Sequence, residues 1–127
     1  MNWHDFALGL AGVIGGATAI FHGVLVQRLM VRPIEAALSA GKASGTIRRL
    51  VPPLLHFSTL SWFLGGVALI AAAASGSDTG KLATGLFVGS LYLFGAVANA
   101  WGSRGRHPGW LLMAAAVILI GASLARG

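Results

Sequence analysis

The sequence predicts an all-α integral membrane protein, a four-helix bundle with up-down-up-down topology, and composition carries this prediction. Apolar residues make up 56% of the 127 residues and charged residues only 9%, whereas soluble domains average about 25% charged residues. Four long stretches contain no Asp, Glu, Lys or Arg, and each is near or above the ~18 residues that span a bilayer core. Polar and apolar residues do not alternate as in transmembrane strands, so helices are expected.

The predicted spans cover residues 6–28, 51–75, 82–103 and 108–125, within one domain of residues 1–127. The start of the chain carries no Lys or Arg of the kind that precedes a cleaved signal peptide, so we expect the first span to remain in the mature protein. The connections after the second and third spans are short. Short connections favour antiparallel neighbours, which gives the up-down-up-down order.

The first connection is the only one long enough to hold structure of its own. Pro33 suits the first turn of a helix and Gly41 suits its C-terminal cap. We therefore expect a short interfacial helix over Ile34–Ala40, lying among the lipid headgroups. A flexible link over Lys42–Gly45 should follow, and the Pro52–Pro53 pair should open the second span.

The distribution of positive charge predicts the orientation in the membrane. Seven basic residues lie in the first and third connections: Arg28, Arg32, Lys42, Arg48, Arg49, Arg104 and Arg106. Only Lys81 and Arg126 lie on the opposite side. The positive-inside rule then places loops 1 and 3 in the cytoplasm and both termini outside, in the inner membrane of a bacterium. The expected partners are the bilayer and its anionic lipids rather than nucleic acid, because the basic residues gather at one membrane face.

Small residues spaced four apart indicate close helix packing. Gly12 and Gly16 form a GxxxG pair in the first span, and Gly85 and Gly89 form another in the third. Such pairs let two backbones approach closely, which matters where water does not drive helix association. The sequence leaves open whether these glycines face the inside of the bundle, a second copy of the chain or another subunit of a larger membrane complex.

Two histidines inside predicted spans are the main functional signal. His22 lies six residues before Arg28, and His56 lies seven residues after Arg49. At 1.5 Å per helical residue both are about 9–11 Å from the flanking arginines, and therefore at one depth. Asn99 is expected at a similar level, with Tyr92 on the same helix face. Ionisable residues in a span are costly and often functional, so the four side chains form a candidate polar cluster or ligand site.

Three interpretations of this cluster remain open. The histidines can act as neutral interhelical hydrogen bonders. They can instead clamp a b-type haem as a bis-histidine pair or handle a quinone, with Arg28, Arg48 and Arg49 contacting haem propionates or lipid. The third interpretation is a metal site or proton relay. His4 and His107, at the ends of spans, are not expected to be ligands.

Catalysis is not favoured by the sequence. The only acids, Asp5, Glu35 and Asp78, lie at the edges of spans, and cysteine is absent, so neither a carboxylate pair nor thiol chemistry is expected. We therefore expect a small polytopic inner-membrane protein that acts as a non-catalytic accessory or oligomer-forming bundle. A haem- or quinone-handling redox protein is the first alternative, and a small carrier or proton relay is the second.

Overall fold

A computed structural model describes residues 2–125 of the chain. This range is helical and contains no strand, so the all-α prediction is confirmed for it. It comprises four main helices and one short one: α1 (Trp3–Val26), α2 (Arg32–Ala40, short), α3 (Gly45–Ser75), α4 (Asp78–Gly102) and α5 (Gly109–Leu124). Arg126, which enters the predicted charge balance, lies outside the described residues.

The first connection differs from its prediction, because α1 and α2 form one continuous helical stretch. A π-helical turn over Gln27–Val31 joins them, and the N–H of Arg32 donates to the carbonyl of Gln27, five residues back. Pro33 follows at once, where it has no N–H to donate. The wider turn shifts the hydrogen-bond register before the proline, so the chain stays helical where a loop was expected. The helix ends at Gly41, whose N–H donates to the carbonyl of Ala37.

The start of α3 also differs from its prediction. The helix begins at Gly45, capped by the Ser44 hydroxyl, which accepts a hydrogen bond from the N–H of Ile47 at 3.3 Å. Pro52 and Pro53 therefore lie inside the helix rather than at its start. Because proline has no N–H, the carbonyls of Arg48 and Arg49, four residues earlier, receive no hydrogen bond within the helix. Both residues are exposed, so water can donate to these carbonyls instead.

Four helices pack around one core. α1 packs against α3 and α5, and α4 packs against the same two helices, so that α1 and α4 lie diagonally opposite. Small residues from α1 and α3 and large residues from α3 and α4 fill the centre. The buried core comprises Leu8, Ala11, Ala19, Trp62, Leu69, Val88, Tyr92, Ala96, Met113, Ala116 and Ile120.

Three helical stretches within residues 2–125 are long and apolar enough to cross a membrane. They are Trp3–Ala40, Gly45–Ser75 and Asp78–Gly102. The fourth, α5, has 16 residues, which gives a length of about 24 Å. That length is shorter than the ~30 Å of a typical hydrocarbon core, although a bilayer can thin to match a short helix.

Candidate functional site

The glycine pairs face neighbouring helices within the bundle. A methyl group on Gly66 of α3 would lie 2.6 Å from the carbonyl oxygen of Gly12 and 2.9 Å from the backbone nitrogen of Gly16. In α4, a methyl group on Gly85 would lie 2.9 Å from the Leu124 side chain of α5, and one on Gly89 would lie 3.5 Å from Ile120. Gly12 and Gly66 therefore allow the backbones of α1 and α3 to approach closely, and Gly85 makes room for the Leu124 side chain, whereas a methyl group on Gly16 would meet nothing within 4 Å.

His22 lies at the interface between α1 and α3. Its Nε2 and the hydroxyl of Ser58 are hydrogen-bonded at 3.0 Å. Its ring also lies against the Trp62 indole, with 4.3 Å between ring centroids and 41° between ring planes. Ser58 and Trp62 both belong to α3, so His22 ties α1 to that helix by a hydrogen bond and an aromatic contact.

His56 makes the reverse connection, from α3 to the π-helical turn that follows α1. Its Nε2 donates to Oε1 of Gln27 at 2.8 Å. The two histidines therefore sit on one interface, and each bonds a polar residue of the opposite helix. We call His22, Ser58, Gln27 and His56 the polar brace. Haem iron would require both Nε2 atoms as axial ligands, and in the brace both are engaged with protein partners.

Asn99 and Tyr92 do not join the brace. The amide of Asn99 donates to the carbonyl of Gly95 in its own helix at 2.8 Å. The fully buried Tyr92 reaches across the core, and its hydroxyl donates to the carbonyl of Trp62 at 2.9 Å. A methyl group on Gly15 would lie 2.1 Å from the Tyr92 oxygen, so this glycine makes room for the phenol between α1 and α4.

A cavity of about 270 Å³ lies beside the brace, at the end of the bundle that carries most of the basic residues. All four main helices contribute to its wall. The lining residues are Thr18, Phe21, His22, Leu25, Trp62, Asn99, His107, Pro108, Gly109 and Leu112. The cavity thus joins His22 and Asn99 of the predicted cluster, whereas His56 and Tyr92 are not part of its lining.

His107 also lines the cavity, although the sequence did not predict it as a ligand. It belongs to the turn before α5, and its Nδ1 accepts a hydrogen bond from the N–H of Gly109 at 3.1 Å. The imidazole therefore caps the start of α5 and is held at the cavity wall. Pro108 predicts a helix start beside His107, and the order of the helices puts that start at the same end of the bundle as His22. Together these two features could have predicted that His107 lies near His22.

The lining is uncharged, because it contains no Asp, Glu, Lys or Arg. Within residues 2–125 no group of three or more His, Cys, Asp or Glu side chains is placed to hold a metal ion. The cavity instead combines aromatic and aliphatic walls with two imidazoles and one amide. This combination suits a neutral molecule with a flat ring and a few hydrogen-bonding atoms.

The predicted arginines lie elsewhere. Arg48 and Arg49 line a separate groove between α2 and α3, together with Glu35 and Ser39, and the Arg48 guanidinium donates to the Ser39 hydroxyl at 3.1 Å. Arg28 is exposed on the π-helical turn. None of the three arginines lines the cavity that contains His22.

The opposite end of the bundle is closed by polar contacts between helix ends. Lys81 of α4 forms an ion pair with Asp5 of α1. The Ser123 hydroxyl donates to the carbonyl of His4 at 2.8 Å, and the His4 ring bonds the carbonyl of Ser123 at 3.0 Å. These contacts join α1 to α4 and α5, so His4 has a structural role.

No protein-family model, curated protein or solved structure matches this chain.

Proposed function

We propose that this chain is a small polytopic protein of the bacterial inner membrane, acting as a non-catalytic accessory or oligomer-forming bundle. The polar brace is the observation that supports this function best. Histidines within a span require a partner or a task. Here His22 is paired between α1 and α3, and His56 between α3 and the π-helical turn that follows α1. Such pairs stabilise helix packing by about 1–2 kcal/mol each. Helix packing therefore explains both histidines, and no catalytic or redox role is needed for them.

The character of the outer surface supports the membrane placement. Large apolar side chains are exposed along every main helix, among them Phe21, Phe57, Phe94 and Ile118, each at least 68% exposed. A soluble monomer rarely exposes continuous apolar surface on this scale. In a bilayer, lipid acyl chains would surround these side chains, so their exposure would carry no hydration penalty.

The pairing of residues between helices supports up-down-up-down topology. Positions later in α1 lie against positions earlier in α3: Gly9 lies near Ala73, and Gly23 lies near Thr59. The same reversal relates α4 to α5, where Gly85 approaches Leu124. Each pattern is that of neighbours running in opposite directions.

The charges support an orientation with loops 1 and 3 in the cytoplasm and both termini outside. In this orientation the groove with Arg48 and Arg49 lies at the cytoplasmic headgroup level. We propose that anionic lipid binds there, because the two guanidinium groups outnumber the single carboxylate of Glu35 and basic residues near an anionic leaflet contribute about 1 kcal/mol each.

The test is an absorption spectrum of the protein purified in mild detergent after expression with a haem precursor, together with its oligomeric mass. We expect a colourless, folded protein in which His22→Ala and His56→Ala each reduce stability by no more than about 2 kcal/mol. A Soret band that shifts on reduction and disappears in both variants would contradict the proposal and establish a bis-histidine haem protein instead.

A further inference from the structure

We infer that the cavity beside the brace binds the ring of a lipid-soluble quinol or quinone. This inference rests on the membrane placement proposed above, because the hydrophobic tail of such a molecule needs acyl chains beside the opening. It goes beyond the proposed bundle function, since it assigns a ligand and residues that would hold it.

The volume of the cavity and the absence of charge in its lining restrict the kind of ligand that it can bind. A volume of about 270 Å³ lies just below the ~300–1,000 Å³ range of small-molecule sites, so the cavity accepts one or two fused rings rather than a macrocycle. Its lining contains no formally charged side chain. A charged ligand would lose its hydration there without a partner for its charge, which is costly.

The walls favour a flat ring. The indole of Trp62 is 6% exposed and stacks at a tilt on the His22 ring, so the two form a rigid aromatic wall. Aromatic surfaces bind other rings well in stacked or edge-to-face arrangements. Phe21 of α1 provides a further aromatic side chain at the rim.

Hydrogen bonds already present determine what the imidazoles can offer a ligand. Because Nδ1 of His107 accepts from the N–H of Gly109, the neutral ring carries its proton on Nε2, which is left as a donor. Nε2 of His22 and the Ser58 hydroxyl are hydrogen-bonded at 3.0 Å. We assign the His22 proton to Nε2, because the Ser58 hydroxyl also lies 3.5 Å from the carbonyl of Leu55, to which it can donate. That arrangement leaves Nδ1 of His22 as an acceptor.

One acceptor and one donor match a quinol better than a quinone. A quinol hydroxyl can donate to Nδ1 of His22, and a ring oxygen can accept from Nε2 of His107. A quinone offers only acceptors, so it can pair with His107 but not with His22. The cavity should therefore prefer the reduced form, and His22 should be the origin of that preference.

The cavity opens at a position from which the hydrophobic tail of a bound quinol could extend into the membrane. Three lining residues are exposed: Phe21 of α1 at 72%, Leu112 of α5 at 48%, and Pro108 immediately before α5. The mouth therefore lies between α1 and α5 and faces sideways. In a bilayer this direction leads into the acyl chains, which suits an isoprenoid tail.

The experiment measures quenching of Trp62 by ubiquinone-1 in detergent. A variant with Trp3, Trp101 and Trp110 changed to Phe keeps Trp62 as its only tryptophan, and anaerobically reduced ubiquinone-1 serves as the competitor. We expect saturable quenching and tighter binding of the quinol. His107→Asn keeps a side-chain acceptor for the start of α5 but removes the Nε2 donor, and it should weaken binding about fivefold, as for one lost hydrogen bond.

Three further variants separate the site from the fold. Leu112→Phe, made in the same background, narrows the mouth without adding a second tryptophan and should weaken binding more than His107→Asn does. His22→Gln should abolish the preference for the quinol. His56→Ala lies outside the cavity and should leave the affinity unchanged.

Linear, non-saturating quenching that is equal in all variants would show partitioning into the micelle only and would overturn the inference. Equal affinity for quinol and quinone in the parent protein would overturn the assigned roles of the imidazoles. Failure of the membrane proposal is a separate result, since it would appear as protein in the soluble fraction whether or not the ring binds in detergent.

Discussion

Gly66→Ala should loosen the contact between α1 and α3, whereas Gly16→Ala should not. The added methyl group on Gly66 would lie 2.6 Å from the carbonyl oxygen of Gly12, against at least 3.4 Å for an ordinary contact. The obstacle is backbone, so α1 and α3 would have to separate locally by about 0.8 Å. A methyl group on Gly16 would meet nothing within 4 Å.

The two substitutions form a matched pair. Both replace glycine by alanine inside a helix, so the gain in helix propensity of up to about 1 kcal/mol is common to them and cancels in the difference. What remains is the cost of overpacking, about 1–3 kcal/mol. We therefore expect Gly66→Ala to be less stable than Gly16→Ala by that amount.

Reversible unfolding by sodium dodecyl sulfate in mixed micelles, followed by circular dichroism, measures this difference. The Gly66→Ala midpoint should fall to a lower detergent fraction, while the Gly16→Ala midpoint should stay at or above that of the parent protein. Equal midpoints for the two variants would refute the close backbone approach of α1 and α3.

Three other substitutions test the remaining contacts by the same unfolding assay. A double-mutant cycle of Gln27→Leu and His56→Leu should give a coupling of about 0.6–1.7 kcal/mol, and zero coupling would contradict the brace. Lys81→Met should cost more than the ~1 kcal/mol of an exposed ion pair, because both side chains are 16% exposed; pairing it with Asp5→Asn should recover part of the loss, and no recovery would argue against the ion pair. Tyr92→Phe should cost about 1 kcal/mol, as for one lost buried hydrogen bond, and an unchanged midpoint would show that this bond does not contribute.

The helices were predictable because each follows from a local signal. Runs without charge locate the main helices, although α3 extends beyond its run and includes Arg48 and Arg49. The Ser–Gly–Ser–Asp segment around Ser77 marks the turn between α3 and α4, where the Ser77 hydroxyl caps α4. The boundaries at the first connection were wrong for reasons that are also local. The short helix itself was located correctly, with Pro33 in its first turn and Gly41 at its C-terminal cap. What the sequence did not indicate is the π-helical turn that joins it to α1, and the start of α3 at Gly45, which leaves Pro52 inside the helix.

The site was harder to predict, because depth follows from counting residues and facing does not. His22 and His56 were expected at one level, and they do share an interface, but counting could not assign Gln27 and Ser58 as their partners. The rotation of each helix depends on packing at distant positions such as Gly66. His107 was not expected to be a ligand, because its position at the start of a span does not show that it faces the same cavity as His22.

The most direct test of the central claim, a bundle that crosses the inner membrane with its basic loops inside, is labelling of single cysteines by a membrane-impermeant maleimide. The chain contains no cysteine, so Ala40→Cys and Thr79→Cys, both at exposed positions, each introduce one thiol. In intact spheroplasts we predict labelling of Thr79→Cys alone, with Ala40→Cys reacting only after lysis. The reverse pattern, or equal labelling of both in intact spheroplasts, would contradict the account.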